Sequence, residues 1–258
     1  MDRPTFLVTN DDGIRAAFLR HLVAALLHTG DVYVVAPARQ QSWTGKAMSR
    51  HRDVAVSSEE SFPCPAWMVD GTPADCVNLG IGHLLRRRPD LVISGINVGL
   101  NAGLPLILNS GTVAAAIEGA LLGCTAIALS QYLPADEYRR IEANPTAPDP
   151  ATLDTVSASA SIAAEIAREL GSGQNPRNEV HNINFPFPTR PDTRSRRTVP
   201  GRLNLGSLYR ETSPDRFRFH FQLPEEDEQD LLTDLACLRR GEISHGVLDF
   251  GRLGCTGI

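Results

Sequence analysis

The sequence predicts an α/β fold, namely a Rossmann-like, doubly wound and mostly parallel sheet followed by a C-terminal β-hairpin and tail. Short apolar, β-rich runs bounded by turn residues alternate with longer segments of helical periodicity. The links between them are short, which favours parallel strands joined through helices. This alternation ends near Pro188. We therefore predict a main domain over residues 1–188 and an oligomerisation hairpin and tail over residues 189–258.

The first three elements form a βαβ unit. Residues 5–9 (TFLVT) predict a buried strand that ends in an Asn-Asp-Asp-Gly turn. Residues 15–27 carry apolar side chains at the spacing of an amphipathic helix. Residues 32–36 (VYVVA) predict a second buried strand, stopped by Pro37.

The later elements repeat this pattern. Thr72 and Pro73 are typical of an N-cap and a first helical residue, and this helix should end near residue 85. Residues 95–103 are rich in glycine and indicate a loop. The remaining core strands are expected at 91–94, 126–130 and 180–185, with helices at 112–122 and 152–170.

The C-terminal segment has a different pattern. Residues 216–222 (RFRFHFQ) alternate polar and apolar side chains, as an exposed strand or hairpin arm does, and residues 234–240 indicate a terminal helix. An exposed strand edge tends to pair with another chain. We therefore expect self-association through this segment.

Composition excludes several classes of protein. The 258 residues carry a formal net charge of −5, which argues against a nucleic acid as partner. No apolar run is long enough to span a bilayer, so we expect no membrane partner. The five cysteines form no Cys-x-x-Cys pair and no signal peptide opens the chain, so we expect a cytoplasmic protein.

Polar residues follow successive strands of the predicted sheet. In an open parallel sheet, the loops after the carboxyl ends of the strands form the ligand crevice. Carboxylate, hydroxyl and amide oxygens without histidine or cysteine suit a hard cation such as Mg²⁺ or Mn²⁺ rather than Zn²⁺. The crevice residues are Asn10, Asp11 and Asp12 after the first strand, Ser42 after the second, and Asn97 and Asn101 after the third.

A second feature of the crevice is Ser110-Gly111-Thr112 at the start of a predicted helix. The free N–H groups and the positive end of the helix dipole favour an anion there. A divalent cation beside a phosphate site is the layout of metal-assisted phosphoryl hydrolysis.

Competing motifs are absent from the sequence. The Thr44-Gly45-Lys46 run lacks the first glycine and the final Ser/Thr of a phosphate-binding loop. No Gly-x-Gly-x-x-Gly opens the first helix, and there is no Gly-x-Ser-x-Gly elbow.

Six segments, taken in order, resemble the SurE family of metal-dependent 5′/3′-nucleotidases. They are VTNDDGI, VVAPARQQS, GTPADCVNLG, PDLVISGINVGLNAG, SGTVAAAIEGALLG and AIALS. The match covers residues 6–130 and resumes weakly at 182–186 and 233–244.

The resemblance implies a phosphomonoesterase that acts on nucleoside monophosphates with one divalent cation, Mg²⁺ or Mn²⁺, and assembles as a homodimer or homotetramer. The family's metal ligands fall on Asp11, Asp12, Ser42 and Asn97. Its phosphate-side positions fall on Asn101, Ser110, Gly111 and Thr112. Asp11 and Asp12, with Asn10 beside them, are the candidate catalytic residues. Either aspartate could accept the proton of the attacking water.

The sequence departs from the family pattern at Trp43, where a small residue is usual, and at Asn109, where a tyrosine is common. Together with Lys46, the only lysine, these are candidate specificity residues. Trp43 could stack on a nucleobase, exclude bulky substrates, or simply pack in the core or an interface. Three alternative functions stay open: a phosphatase of the same mechanism for another phosphorylated metabolite, a phosphatase with an aspartyl-phosphate intermediate, and a non-catalytic nucleotide-binding protein.

Overall fold

A large, twisted sheet organises the chain. The computed structural model describes residues 3–144, 146–171, 178–223 and 232–252. Within them, nine strands form one sheet and two form a separate hairpin. The strands are β1 (Thr5–Thr9), β2 (Asp31–Pro37), β3 (Val56–Ser58), β4 (Ala66–Val69), β5 (Leu91–Val98), β6 (Thr125–Gln131), β7 (Glu179–Phe185), β8 (Ser195–Thr198), β9 (Tyr209–Ser213), β10 (Arg216–Phe219) and β11 (Ile243–Asp249).

Helices cover both faces of the sheet. One π-helical stretch, Gly80–Leu84, continues the second helix, and a 3₁₀ turn, Phe250–Arg252, follows β11. The α-helices are α1 (Ala17–Leu26), α2 (Pro73–Leu79), α3 (Leu104–Asn109), α4 (Gly111–Leu121), α5 (Ala135–Ala143), α6 (Pro150–Gly171) and α7 (Asp234–Arg239).

The strand order is β3-β4-β2-β1-β5-β6-β7-β11-β8. The strands from β4 to β7 all run parallel, whereas β3 and β11 pair antiparallel with their neighbours β4 and β7. This confirms the predicted α/β class. Because β2 lies on one side of β1 and β5 on the other, the strand order reverses at β1. A ligand crevice is expected at that point.

The core explains why the central strands are apolar throughout. Phe6 and Val8 face a cluster that includes side chains of α1 and α6, whereas Leu7 faces a second cluster with side chains of α2 and α4. A strand that is buried on both faces needs an unbroken apolar run rather than an alternating one.

Two helix starts form as the sequence predicts. Thr72 caps α2: its hydroxyl accepts a hydrogen bond from Asp75 N at 3.1 Å, and the Asp75 carboxylate accepts one from Thr72 N at 2.9 Å. Ser110 caps α4 by accepting from Val113 N at 3.0 Å. Both caps connect residues three positions apart, so they were readable from local sequence.

The structure contains elements that the sequence pattern did not indicate. The strand predicted over residues 91–94 extends as β5 to Val98, because pairing with β6 resumes at Asn97 after an irregularity. The predicted glycine-rich loop is therefore shorter than expected. The strands β3, β4, β8 and β11 and the helices α3 and α5 were also missed.

The C-terminal segment divides between the two sheets. β8 and β11 join the large sheet beside β7, whereas β9 and β10 form the expected hairpin. The domain division at residue 188 stays a prediction, and residues 224–231 and 253–258 of that segment lie outside the described residues. None of the helices described is both long and apolar enough to cross a membrane.

Candidate active site

The site begins at the turn after β1. Asp11 is buried, and its backbone oxygen accepts a hydrogen bond from Gln41 N at 2.7 Å, which ties this turn to the loop after β2. The Asn10 amide donates to Gly13 O at 2.9 Å. Gly13 has a φ of 96°, which favours glycine. The outer residues of Asn-Asp-Asp-Gly therefore shape the turn, and the inner two present carboxylates.

The two carboxylates are desolvated and close enough to repel each other. Thr112 Oγ1 donates to Asp11 Oδ1 at 2.5 Å, and Val98 N donates to Asp12 Oδ2 at 2.9 Å. Burial raises the pKa of Asp11, although hydrogen bonds from Thr112 partly offset this effect. Burial and the charge of Asp11 raise the pKa of Asp12 well above its usual value. In the described part of the chain, no basic side chain forms an ion pair with either aspartate.

Two neutral side chains with oxygen atoms line the same cavity as the first carboxylate. Ser42 and Asn97 line the same cavity as Asp11, which has a volume of about 750 Å³. The described residues contain no group of three or more His, Cys, Asp or Glu side chains that could hold a metal ion. Two carboxylates with hydroxyl and amide oxygens, and without a basic partner, fit a hard divalent cation better than Zn²⁺.

The start of α4 packs directly against the first carboxylate. A Cβ added at Gly111 would lie 2.9 Å from Asp11 Cβ and 3.1 Å from Gln41 O. Only glycine lets the helix terminus approach this closely, which explains the glycine of the Ser-Gly-Thr run. The first turn of α4, at the positive end of the helix dipole, thus lies beside Asp11.

Asn101 is held by a buried polar network. Its backbone N donates to Asn184 Oδ1 at 2.8 Å, and its side-chain amide donates to Ser130 Oγ at 2.8 Å. Asn182 Nδ2 in turn donates to the Asn101 carbonyl oxygen at 2.8 Å. β7 therefore fixes the position of Asn101 on the cavity wall. Asn182 and Asn184, which provide this support, belong to residues 182–186 (NINFP), where the resemblance to the family resumes.

The three candidate specificity residues lie in different environments. Trp43 and Asn109 line the cavity, and the Asn109 amide donates to Pro105 O at 2.8 Å. Lys46 Nζ instead lies 2.5 Å from Glu118 Oε2, and Lys46 is not among the described cavity-lining residues. Their effects on substrate choice stay predictions.

The cavity also contains residues that sequence reasoning missed. Tyr132, Tyr138 and Arg139 come from the end of β6 and from α5, and His220 and Phe221 follow β10. Burial, followed by the charges of Glu142 and the two aspartates, raises the pKa of Tyr138. Loops after the carboxyl ends of parallel strands form the ligand crevice, so the loop after β6 could have been searched in the sequence as well. That search would have found Tyr132, Tyr138 and Arg139. No local signal places residues 220–221 at the cavity.

The chain is similar to known proteins over most of its length. The family model described as Survival protein SurE matches residues 6–204. A 5′-nucleotidase SurE from Pelotomaculum thermopropionicum is 37% identical over 245 residues, covering 92% of this chain and 86% of the relative. A 5′-nucleotidase SurE from Deinococcus radiodurans is 44% identical over 187 residues, covering 71% of this chain and 63% of the relative.

A solved structure shows the same fold. The crystal structure of the SurE protein from Aquifex aeolicus is similar with a TM-score of 0.76 and 28% sequence identity. The similarity covers 95% of this chain and 93% of that chain. It therefore extends beyond the Rossmann-like core to the C-terminal segment.

Proposed function

The chain belongs to the SurE family, and from that premise we propose that it is a divalent-metal-dependent phosphatase that hydrolyses nucleoside 5′- or 3′-monophosphates to nucleoside and phosphate. The observation that carries this proposal is the pair Asp11 and Asp12, two desolvated carboxylates without a basic partner among the described residues. The relatives' name, 5′-nucleotidase, supports the substrate class.

The proposed cofactor is one Mg²⁺ or Mn²⁺ held by Asp11, Asp12, Ser42 and Asn97. When bound, such a cation polarises the phosphoryl group, lowers the pKa of a water and offsets the negative charge of the transition state. The burial of this carboxylate pair without a basic partner among the described residues supports this assignment, because a bound cation would offset the charge of the ionised pair.

The protein's own residues would bind and orient the phosphate. The Gly111 N–H at the start of α4 and the Ser110 hydroxyl would hold phosphoryl oxygens, and Thr112, which donates to Asp11, would position that carboxylate beside them. Asn101, which its hydrogen bonds hold on the cavity wall, would bind another oxygen. Either Asp11 or Asp12 could accept the proton of the attacking water. Asn10, which bonds to the turn through Gly13, would act by positioning them.

We further propose that the protein works in the cytoplasm as a homodimer or homotetramer assembled through the hairpin. Apolar side chains on β9 and β10 support this: Tyr209 is 59% exposed and Phe217 is 64% exposed. A two-stranded hairpin is marginally stable alone, and burial against a second copy would stabilise it.

Phosphate release from a panel of nucleotides and sugar phosphates, with chelated and metal-loaded protein, tests the proposal. We expect activity only with Mn²⁺ or Mg²⁺. Asp12→Asn should lower kcat/KM at least about 100-fold, because losing a charged ligand costs more than losing a residue that only orients one. Asp53→Asn, at an exposed aspartate, is the matched control. Full activity of the chelated protein would contradict the metal requirement.

A further inference from the structure

The segment after the hairpin forms part of the active-site cavity of its own chain. β10 ends at Phe219, and residues 220–223 line the cavity together with Asp11 and Ser42. The C-terminal region that the sequence assigns to self-association therefore also contacts the space in which a substrate would bind.

Aromatic side chains from segments far apart in the sequence meet at this wall. The ring centroid of Trp43 lies 4.9 Å from that of Phe219 and 5.1 Å from that of Phe221, with edge-to-face angles of 65° and 60°. Tyr209 packs edge-to-face on Phe219 at 6.0 Å. These contacts hold Trp43 and Phe221 in place, and both residues line the cavity.

Trp43 has an unfavourable backbone conformation, which suggests that its side chain is needed at the cavity. Its φ is 61°, in the left-handed region that glycine adopts freely and bulky residues adopt rarely. Residues held in such conformations cluster at ligand sites. Trp43 also directly follows Ser42, a proposed metal ligand, and both residues line the cavity.

His220 adds a polar atom to the same wall. Its backbone N donates to Leu208 O at 2.8 Å, which fixes the segment, but its Nε2 is buried and has no hydrogen-bond partner among the described residues. A buried polar atom without a partner costs free energy, which a polar ligand atom would recover. The cavity volume of about 750 Å³ exceeds what a phosphate alone would fill and lies in the usual range for small-molecule sites.

We infer that Trp43, Phe221 and His220 form a nucleoside subsite in which the aromatic wall binds the nucleobase and His220 Nε2 binds a polar atom of the nucleoside. The segment that follows the hairpin thus selects substrates for the active site of its own chain. This inference rests on the proposed phosphatase function, and it adds that substrates with an aromatic base are preferred to the same phosphate without one.

The kinetic test compares adenosine 5′-monophosphate with ribose 5-phosphate, which share the scissile bond and differ by the base. Phe221→Leu keeps an apolar side chain but removes the aromatic face. We expect this variant to lower kcat/KM for the nucleotide about 10-fold, mainly through KM, and to leave kcat/KM for ribose 5-phosphate unchanged. Phe217→Leu alters the hairpin outside the cavity and should change kcat/KM for neither substrate. If the ratio of kcat/KM for the nucleotide to kcat/KM for ribose 5-phosphate is the same in Phe221→Leu as in the wild type, the inference is overturned.

A binding test separates this inference from the phosphatase function. Since Trp67 is the other of the two tryptophans, Trp67→Phe leaves Trp43 as the only tryptophan fluorophore. Adenosine should quench its fluorescence, and Phe221→Leu or His220→Leu should weaken that binding several-fold. Quenching by adenosine in a protein that releases no phosphate would keep the subsite and reject the hydrolysis. Phosphate release without quenching, and with no preference for the base, would reject the subsite alone.

Discussion

Gly111→Ala should impair the candidate active site although it removes none of the proposed metal ligands. The added Cβ would lie 2.9 Å from Asp11 Cβ and 3.1 Å from both Asp11 Oδ2 and Gln41 O, whereas ordinary contacts begin at 3.4 Å. Asp11 or the start of α4 must therefore move by about half an ångström. Because a misplacement of about 1 Å can cost about 100-fold in rate, we expect kcat/KM to fall roughly 10- to 100-fold.

The same substitution should change stability much less than activity. Alanine is favoured over glycine within a helix by about 0.5–1 kcal/mol, and overpacking costs about 1–3 kcal/mol. The free energy of unfolding should therefore fall by no more than about 2 kcal/mol. Chemical denaturation measures this change, phosphate release measures kcat/KM, and isothermal titration calorimetry with Mn²⁺ measures metal affinity.

Gly82→Ala is the matched control, because a Cβ at Gly82 meets nothing within 4 Å. It should leave both activity and metal affinity unchanged. Wild-type metal affinity and kcat/KM in Gly111→Ala would refute the reasoning, because the close approach of α4 to Asp11 would then have no functional consequence.

Three further predictions concern stability and assembly. Desolvation lowers the pKa of His181 to about 4 and that of His245 to about 3, so both stay neutral in the folded protein. The stability that the neutral histidines contribute is therefore fully present above the unfolded pKa of about 6.5 and is lost as the pH falls below it. Denaturant titrations should show a loss of about 2 kcal/mol per histidine between pH 7 and 5, about 4 kcal/mol for the pair, of which His245→Gln should remove about half. Lys46→Met should destabilise the protein by about 2 kcal/mol, because it leaves Glu118 without its cation, and Lys46→Met/Glu118→Gln should recover most of this loss. An unchanged preference between substrates in Lys46→Met would assign Lys46 to structure. Finally, light scattering should show an oligomer at micromolar concentration that Phe217→Glu weakens, and a monomeric wild type would contradict assembly through the hairpin.

The features of the fold that depend on residues close together in the sequence were predicted correctly. Buried parallel strands need apolar runs, and the Thr72 and Ser110 caps join groups only three residues apart. The crevice rule then placed the polar residues after β1, β2 and β5 at one edge of the sheet. Asp11, Ser42, Asn97 and Asn101 do line one cavity.

Contacts between distant segments were not readable, because no local propensity specifies which segments meet. The hydrogen bond from Thr112 to Asp11 spans 101 residues, and the ion pair of Lys46 with Glu118 spans 72. The alternation of polar and apolar residues at 216–222 predicts an exposed strand, but it does not specify the surface against which that strand packs. Only the folded chain brings Phe221 against Trp43 and thereby makes a segment expected to bind another subunit into a wall of the active-site cavity.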